Sequence, residues 1–455
     1  MTSTPTLRPE VDASDVEAAA ERLTDLLHPT MLFESSRLST KFGASVVLKR
    51  EDQQPVRSYK IRGASNLIAQ LDDDARAAGV VCASAGNHAQ GVAYACSRLG
   101  VKATIFLPRT TPRQKRERVR VLGGPWVETV VEGDTYDVAA GAAGEFAATT
   151  GATLVPAFDD VRTIAGQGTV ALEAFAQCEA QYGKVPDVVV VPVGGGGLLA
   201  GITAWVRERH PSTRIVGVEP VGAPSLQAAL AEGRPVAVPV TDPFVDGATV
   251  GLLGAHTYPI IAAGGVPCFS VPEGQICTEM LDLYQSDGII AEPAGALAPA
   301  ALPGVDFADG ELVLAILSGG NNDVSRYAEV VERSLVFEGR KHYFIVEFPQ
   351  EPGQLRRFLD GVLGPDDDIT LFEYVKRNNR ETGAALVGVQ LGSPDGLAGL
   401  MDGSVSTLAP LFAAAGLTGT GSTAGSHVSG AAGTASETAV VTEAGKYLGV
   451  PYLWR

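Results

Sequence analysis

From about residue 44 to residue 330, short runs of β-branched and aliphatic residues alternate with segments whose apolar residues recur every three or four positions. The runs read VVLKR, VVCAS, ATIFLP, WVETVV, VVVVPV, IVGVEP and LVLAIL. Such alternation predicts β-α-β units, in which parallel strands form sheets with helices on both faces. VVVVPV and LVLAIL lack polar alternation, as expected for parallel strands buried on both faces. The sequence therefore predicts an α/β core.

Composition narrows the classes of partner. With 455 residues the chain is long enough for two or three domains, and its net charge of −17 argues against nucleic acid or an anionic membrane as the main partner. The N-terminus carries acids where a signal peptide carries basic and then apolar residues, and the longest apolar stretch is interrupted by Pro192 and four glycines. Five cysteines without a C-x-x-C pair indicate reduced thiols. We therefore expect a cytoplasmic protein without a membrane span.

The pattern changes after a predicted junction at 334–341, SLVFEGRK. Beyond it, HYFIVEF reads as a strand, QLRRFLDGVLG as a short helix, and DITLFEYVKR and AALVGVQL as strands joined by a hairpin turn in NNRETG. This β-α-β-β order predicts a small α+β module. From about residue 403 the chain is rich in Gly, Ala, Ser and Thr, which is typical of a linker or a disordered tail.

A lysine stands at an unusual place in SYKIRGA, residues 58–64. Ile61, Ala64 and Leu67 have helical spacing, so we expect a helix that begins near Lys60. The positive end of the helix dipole disfavours a cation there by ~0.3–1 kcal/mol. A solvated lysine would tolerate that cost, whereas a lysine kept neutral or bound covalently would act as a nucleophile. The stretch alone leaves both interpretations open.

Three loops follow predicted strands, at the sheet edge where ligands of open α/β folds bind. In the first, Ser84 to Asn87 precede a helix and offer N–H groups to an anion such as a carboxylate, although Asn87 and His88 are equally suited to a turn or a cap. In the second, the four glycines of 194–197 leave the backbone free to wrap a phosphate or to form a flexible turn. The third ends at Ser318, which by itself can simply cap or turn.

Taken together, SYKIRGA, SAGNHAQG, GGGGL and SGGN, in this order and spacing, resemble the fold-type II pyridoxal-phosphate enzymes and specifically the threonine ammonia-lyases, or threonine dehydratases. The resemblance covers about residues 15–400. It implies pyridoxal 5'-phosphate as cofactor and a tryptophan synthase β-like core of two subdomains. The implied catalytic domain is 1–335, with a small subdomain at 57–160. An ACT-like regulatory domain at 341–402 and a low-complexity tail at 403–455 follow.

The resemblance also implies roles for individual residues. Lys60 is the implied lysine that holds the cofactor covalently and removes the α-proton, and the ring of Tyr59 is expected to lie against the cofactor. Asn87 is the implied partner of the pyridoxal 3′-oxygen and Ser318 of the pyridine nitrogen. The implied phosphate cup consists of Gly194, Gly195, Gly196, Gly197 and Leu198. The implied substrate-carboxylate loop contains Ser84, Ala85, Gly86 and His88. No metal is implied.

The implied reaction is the dehydration and deamination of L-threonine to 2-oxobutanoate and ammonia, the first step of isoleucine biosynthesis. L-Serine is the expected secondary substrate, because one methyl group provides only ~1–3 kcal/mol of discrimination. A serine at the pyridine nitrogen makes the cofactor a weaker electron sink than an aspartate would, which favours β-elimination over transamination. Ala85 occupies a position where related serine racemases have a serine that acts as an acid, and this also argues for elimination.

The C-terminal module implies feedback inhibition by isoleucine, relieved by valine, and the family usually forms homotetramers. One alternative is a catabolic serine/threonine dehydratase without isoleucine control, which would normally lack that module. Another is an amino-acid sensor built on an inactive scaffold. Such a sensor would be expected to have lost Lys60 or the glycine loop, and both are intact.

Overall fold

The computed structural model describes residues 10–374 and 382–400. It consists of two compact units, one ending at Arg326 and one beginning at Tyr327. The predicted tail at 403–455 and residues 378–381 of the predicted hairpin turn lie outside the described residues. Within the described part of the chain, no helix has the length and apolar character needed to cross a membrane.

The strands and helices of the described residues alternate along the first unit. The strands are β1 (Leu32–Glu34), β2 (Ser45–Arg50), β3 (Val80–Ala83), β4 (Ala103–Leu107), β5 (Val127–Val131), β6 (Thr153–Leu154), β7 (Val188–Pro192), β8 (Arg214–Pro220), β9 (Cys268–Val271), β10 (Leu312–Leu317), β11 (Lys341–Pro349), β12 (Asp368–Tyr374) and β13 (Thr382–Gln390). The helices are α1 (Ala13–Leu23), α2 (Ser36–Phe42), α3 (Lys60–Ala69), α4 (Asp73–Ala78), α5 (Asn87–Leu99), α6 (Arg113–Gly123), α7 (Tyr136–Thr150), α8 (Val161–Tyr182), α9 (Gly197–Arg209), α10 (Ser225–Glu232), α11 (Thr257–Ala263), α12 (Glu273–Gln285), α13 (Pro293–Ala301), α14 (Tyr327–Phe337) and α15 (Gln354–Val362). Every strand predicted between residues 44 and 330 is confirmed.

The large lobe of the first unit is built on a sheet with the order β1-β2-β10-β7-β8-β9. Its described strands pair in parallel, except that β1 runs antiparallel to β2. All residues of β7 and β10 are buried, as predicted from their unbroken aliphatic runs. Leu312, Leu314 and Ile316 pack in one core cluster with α8 and α9, while α13 also packs against β7 and β10.

The small lobe is inserted in sequence between β2 and β7, and its sheet has the parallel order β5-β4-β3-β6. Helices α3 and α5 share its core cluster, in which Leu67, Ile68, Val92 and Ile105 are fully buried. Helix α3 begins at Lys60, as predicted, and α5 begins at Asn87, directly after the loop that follows β3. The chain thus passes from the large lobe into the small lobe at the lysine segment.

The second unit contains α14, an antiparallel sheet with the order β11-β13-β12, and α15. Phe348, Phe358 and Val387 lie in its core. The predicted β-α-β-β order is confirmed. The predicted junction at 334–341 is partly wrong, because residues 334–337 form the last turn of α14. Val330 and Ser334, four residues apart, are both buried on one side of that helix.

Helices α8 and α9 cross closely at Gly168 and Gly201. A Cβ atom on Gly201 would lie 2.3 Å from the carbonyl oxygen of Ile164 and 2.5 Å from the backbone nitrogen of Gly168. We therefore expect Gly201→Ala to lower the free energy of unfolding by about 1–3 kcal/mol, because the helix backbones must separate. Chemical denaturation of the full-length protein measures this change.

Gly144→Ala in α7 is the matched control, since a Cβ atom there would meet no described atom within 4 Å. This substitution should raise the free energy of unfolding by about 0.5–1 kcal/mol through helix propensity. Equal effects of the two substitutions would show that the close helix crossing does not matter.

Candidate active site

A pocket lies where β7 and β10 of the large lobe end beside the lysine segment. Its lining residues are Tyr59, Lys60, Asn87, Pro192, Gly194, Gly247, Ala248, Glu292, Ala294 and Ser318. The structure therefore brings together five of the residues singled out in the sequence, from the lysine segment and the three loops. Their approach is fixed by the backbone: Ser58 forms a β-bridge with Gly319, and the Tyr59 N–H donates to the Ser318 carbonyl at 3.2 Å.

The Lys60 amine lies deep in this pocket. Its Nζ donates to the carbonyl oxygen of Ala157 at 3.0 Å and lies 5.3 Å from the centroid of the Tyr59 ring. Burial lowers the pKa of Lys60 to about 8, although the Glu292 carboxylate acts in the opposite direction. An amine with this pKa is partly neutral near physiological pH. Of the two interpretations left open by the sequence, the geometry agrees with the nucleophilic lysine.

Asn87 does not cap α5, because Gly86 occupies the N-cap position. Its Nδ2 instead donates to Glu292 Oε1 at 2.6 Å, and its Oδ1 accepts from Asn321 Nδ2 at 2.8 Å. The same Asn321 nitrogen donates to the Val56 carbonyl at 2.7 Å. Sequence reasoning missed both partners. The available signals were only a glutamate before the helix-starting Pro293 and a pair of asparagines after the SGG of the third loop.

Glu292 is the most unusual of the missed residues. It is only 6% exposed and stands directly before α13. Burial raises its pKa to about 7, and the charge of Asp246 acts in the same direction, whereas the hydrogen bond from Asn87 opposes the shift. The pocket therefore contains a carboxyl group and an amine that both titrate near neutral pH.

The glycine loop forms the N-terminal end of α9, and among the described residues no side chain caps it. Gly196 has a φ of +91°, and a Cβ atom on it would lie 2.7 Å from Thr257 Oγ1. A Cβ atom on Gly195 would lie 2.4 Å from the ring of Phe158, a neighbour that the sequence did not reveal. The first N–H groups of a helix have no partner within the helix, so this uncapped end suits an anion such as a phosphate group.

Two other predicted residues, Leu198 and Ser318, do not direct a free side-chain group into the pocket. The Leu198 side chain is buried in the hydrophobic core, so only its backbone belongs to the helix end. The Ser318 hydroxyl, which lines the pocket, donates to the Ala294 carbonyl at 3.1 Å. It must turn away from that carbonyl to donate its hydrogen to a bound ring nitrogen.

The loop before α5 does not belong to the pocket lining in the described residues. Ser84 Oγ accepts a hydrogen bond from the Gly86 N–H at 3.2 Å, and Ala85 packs against the core of the small lobe. His88 Nε2 lies 2.7 Å from the Val155 carbonyl oxygen. Burial and the nearby Lys60 amine lower the pKa of His88 to about 4, which keeps the imidazole neutral. Its ring is thus engaged with the backbone.

Comparison with known proteins identifies the family. Residues 23–319 match the family of pyridoxal-phosphate dependent enzymes, and residues 332–404 match the C-terminal regulatory domain of threonine dehydratase. The chain is 59% identical over 393 residues to the biosynthetic L-threonine dehydratase of Mycobacterium tuberculosis, which covers 86% of this chain and 91% of that relative.

Two solved structures are similar to this chain. The processed form of threonine deaminase isoform 2 from Solanum lycopersicum has 34% sequence identity and a TM-score of 0.65, covering 73% of this chain and 99% of that one. Maize serine racemase has 30% identity and the same TM-score of 0.65, covering 72% of this chain and 98% of the other.

The fold and the pocket define a pyridoxal-phosphate-dependent enzyme of fold type II, as the sequence predicted. Within that class, the chain belongs to the biosynthetic L-threonine dehydratases, which are lyases with a C-terminal regulatory domain. Threonine is therefore its substrate, and isoleucine biosynthesis is its pathway.

The burial of Lys60 predicts a pH-dependent stability effect in the protein freed of cofactor. The pKa of this amine is lower in the folded chain, about 8, than in an unfolded chain, so stability is lost as the pH falls through the unfolded value toward 8. Lys60→Met removes that penalty. The variant should gain free energy of unfolding over the wild type, and we expect this gain to be about 2–3 kcal/mol larger at pH 7 than at pH 10.

Urea unfolding at the two pH values measures the effect. Lys102→Met is the control, because Lys102 is an exposed lysine outside the pocket. For each variant, the change in free energy of unfolding relative to wild type is compared between pH 7 and pH 10. If this comparison gives the same result for Lys60→Met and Lys102→Met, a partly neutral Lys60 amine in the pocket is contradicted.

Proposed function

We propose that Lys60 is the catalytic residue of L-threonine dehydration in this chain. We also propose that Tyr59, Asn87, Ser318 and the glycine loop hold pyridoxal 5'-phosphate. The observation that carries the proposal is a half-buried lysine with a pKa of about 8, whose amine lies in a pocket that Asn87 and Ser318 also line. Both the polar side chains and the uncapped end of α9 suit a planar ligand with one phosphate group.

Each group has a distinct role in this proposal. The Tyr59 ring would lie against the ring of the cofactor, and the glycine loop with the start of α9, Gly194 to Leu198, would bind its phosphate. Asn87 donates an N–H to the 3′-oxygen, and Ser318 is the partner of the ring nitrogen. The backbone of Ser84, Ala85, Gly86 and His88 binds the carboxylate of threonine at the N-terminal end of α5.

When bound, pyridoxal 5'-phosphate supplies a sink for the electron pair that remains when the substrate Cα loses its proton. Lys60 Nζ takes that proton, which a partly neutral amine can do near pH 8. Loss of the β-hydroxyl as water and subsequent hydrolysis convert threonine into 2-oxobutanoate and ammonia. Ala85 offers no hydroxyl group to return a proton to Cα, which supports elimination over racemisation.

We further propose that isoleucine inhibits the enzyme through the second unit and that valine relieves the inhibition. The match of residues 332–404 to a regulatory domain supports this proposal over a catabolic dehydratase without such control. We propose a catalytic domain at 1–335, a regulatory domain at 341–402 and a homotetrameric assembly. The cytoplasmic location remains a prediction from the sequence.

The catalytic proposal predicts that Lys60→Ala lowers the rate of 2-oxobutanoate formation from threonine by a factor of about a thousand or more, because both the nucleophile and the base are lost. Serine should react more slowly than threonine in the wild-type protein, by a factor of about 10–200. Lys102→Ala, an exposed lysine, should retain the rate. Substantial activity of Lys60→Ala would contradict the assignment.

The regulatory proposal predicts that isoleucine lowers the rate at subsaturating threonine and that added valine restores it. A chain that ends at Phe337, the last residue of α14, contains all of the proposed catalytic domain and should retain activity and lose the response. The measurement is the initial rate of 2-oxobutanoate formation with each amino acid alone and with both. A full-length enzyme whose rate is unchanged by isoleucine would rule the proposal out.

A further inference from the structure

Three polar residues beside the Lys60 amine are linked through Asn87 by two hydrogen bonds, and we call them the polar triangle: Glu292, Asn87 and Asn321. Asn87 Nδ2 donates to Glu292 Oε1 at 2.6 Å, and Asn321 Nδ2 donates to Asn87 Oδ1 at 2.8 Å. The backbone N–H of Asn321 also acts on the Glu292 carboxyl group and lowers its pKa. The triangle joins α5 of the small lobe to two segments of the large lobe.

This arrangement fixes which way the Asn87 amide faces. An ionised carboxylate only accepts hydrogen bonds, and the Asn321 amide nitrogen only donates. The Asn87 nitrogen must therefore face Glu292, and its oxygen must face Asn321. A primary amide has two N–H groups. Since one of them is engaged by Glu292, the second is left for a ligand in the pocket.

We propose that Glu292 is a positioning residue of the cofactor site, which acts through Asn87 by holding an N–H, rather than the carbonyl oxygen, toward the 3′-oxygen of pyridoxal 5'-phosphate. This inference rests on the proposed role of Asn87. The proposed mechanism gives the buried Glu292 carboxyl group no role, and this inference gives it one. Among the described residues no side chain caps α13, so Glu292 is not retained as a helix cap.

The charges around Glu292 come from several elements. Tyr59 and Lys60 face it from the start of α3, Asp246 from the segment after α10, and Lys115 from α6. Lys115 Nζ lies 3.1 Å from Asp246, and Arg326 lies 3.9 Å from the same carboxylate. Lys115 and Asp246 therefore shift the pKa of Glu292 in opposite directions, and burial remains the main cause of its value of about 7. Glu292 is thus substantially ionised at pH 8, and the ionised carboxylate is the stronger acceptor for the Asn87 N–H.

Two readouts on the full-length holoenzyme at pH 8 test the proposal without relying on turnover. Equilibrium dialysis against graded pyridoxal 5'-phosphate gives its Kd. The visible band of the bound cofactor reports the state of the 3′-oxygen, because an oxygen that has lost its proton absorbs at longer wavelength and is stabilised by an N–H donor. A purely structural role for Glu292 would lower the thermal midpoint without moving this band.

We expect Glu292→Gln to raise the Kd about tenfold and to shift absorbance toward the shorter-wavelength band, because one charge-assisted hydrogen bond is lost and only Asn321 then holds the amide. Asn87→Ala should produce a similar or larger change. In the double variant, Glu292→Gln should add nothing to Asn87→Ala, because two residues that act through one contact are not additive. This pattern would support the proposal.

Other outcomes would overturn the proposal, and they distinguish a failure of the role of Glu292 from a failure of the role of Asn87. If Asn87→Ala weakens binding while Glu292→Gln matches the wild type in both readouts, the inference fails and the proposed cofactor site stands. If the two effects add, Glu292 does not act through Asn87, and the inference again fails. If Asn87→Ala changes neither readout, both the inference and the proposed role of Asn87 fail.

Asn321→Ala keeps the proposal testable if Glu292→Gln does not fold. It removes the donor that holds the Asn87 oxygen but leaves the Glu292 carboxyl group and the Asn321 backbone N–H in place. We expect a rise in Kd of roughly threefold to tenfold and a shift of the visible band in the same direction. An Asn321→Ala protein with the wild-type Kd and spectrum would overturn the proposal by itself.

Discussion

The site depends on the short backbone contact between the end of β10 and the segment that precedes Lys60. The Ser58–Gly319 bridge is flanked by a hydrogen bond from the Gly320 N–H to the Arg57 carbonyl at 2.9 Å. Arg57 has a positive φ of 56° to make this contact. Gly319 also lies close to Glu292, since a Cβ atom on this glycine would lie 2.1 Å from Glu292 Oε1. One contact therefore places the lysine, Ser318 and Glu292 together.

A buried ion-pair network beneath α3 holds that helix in position. Arg62, two residues after the lysine, contacts Glu51 at 2.7 Å and Glu173 at 2.9 Å, and Lys49 also pairs with Glu173. Although burial raises the pKa of Glu51, Arg62 lowers it to about 2. Removing one member of a buried ion pair typically costs about 3–5 kcal/mol, because its partner is left unpaired. The start of α3 is thus anchored to the residue that follows β2 and to α8.

The sequence predicted those parts of the fold and site that local pattern determines. Unbroken aliphatic runs identified β7 and β10, and helical spacing identified the start of α3 at Lys60. The strands β1, β6 and β9 were not predicted, because β1 and β6 have only three and two residues and the four residues of β9, CFSV, contain no run of aliphatic residues.

The missed residues of the site share a different cause. Glu292 and Phe158 acquire their importance from distant segments that the fold brings beside Asn87 and Gly195. The spacing of residues along the sequence does not predict these contacts between distant segments. The resemblance to a family supplied expected partners for a cofactor, but not the protein side chains that orient those partners.

Ionisable side chains near the start of α3 fall into two kinds, those in ion pairs and those in the pocket. Below α3, Arg62 and Glu51 remain ionised, because each opposite charge compensates the loss of water around its partner. In the pocket, Lys60 and Glu292 have weaker compensation, so burial moves the pKa of the amine down to about 8 and that of the acid up to about 7. Protonation changes there cost little free energy near neutral pH. The first arrangement fixes a helix, and the second provides a site in which protons can move.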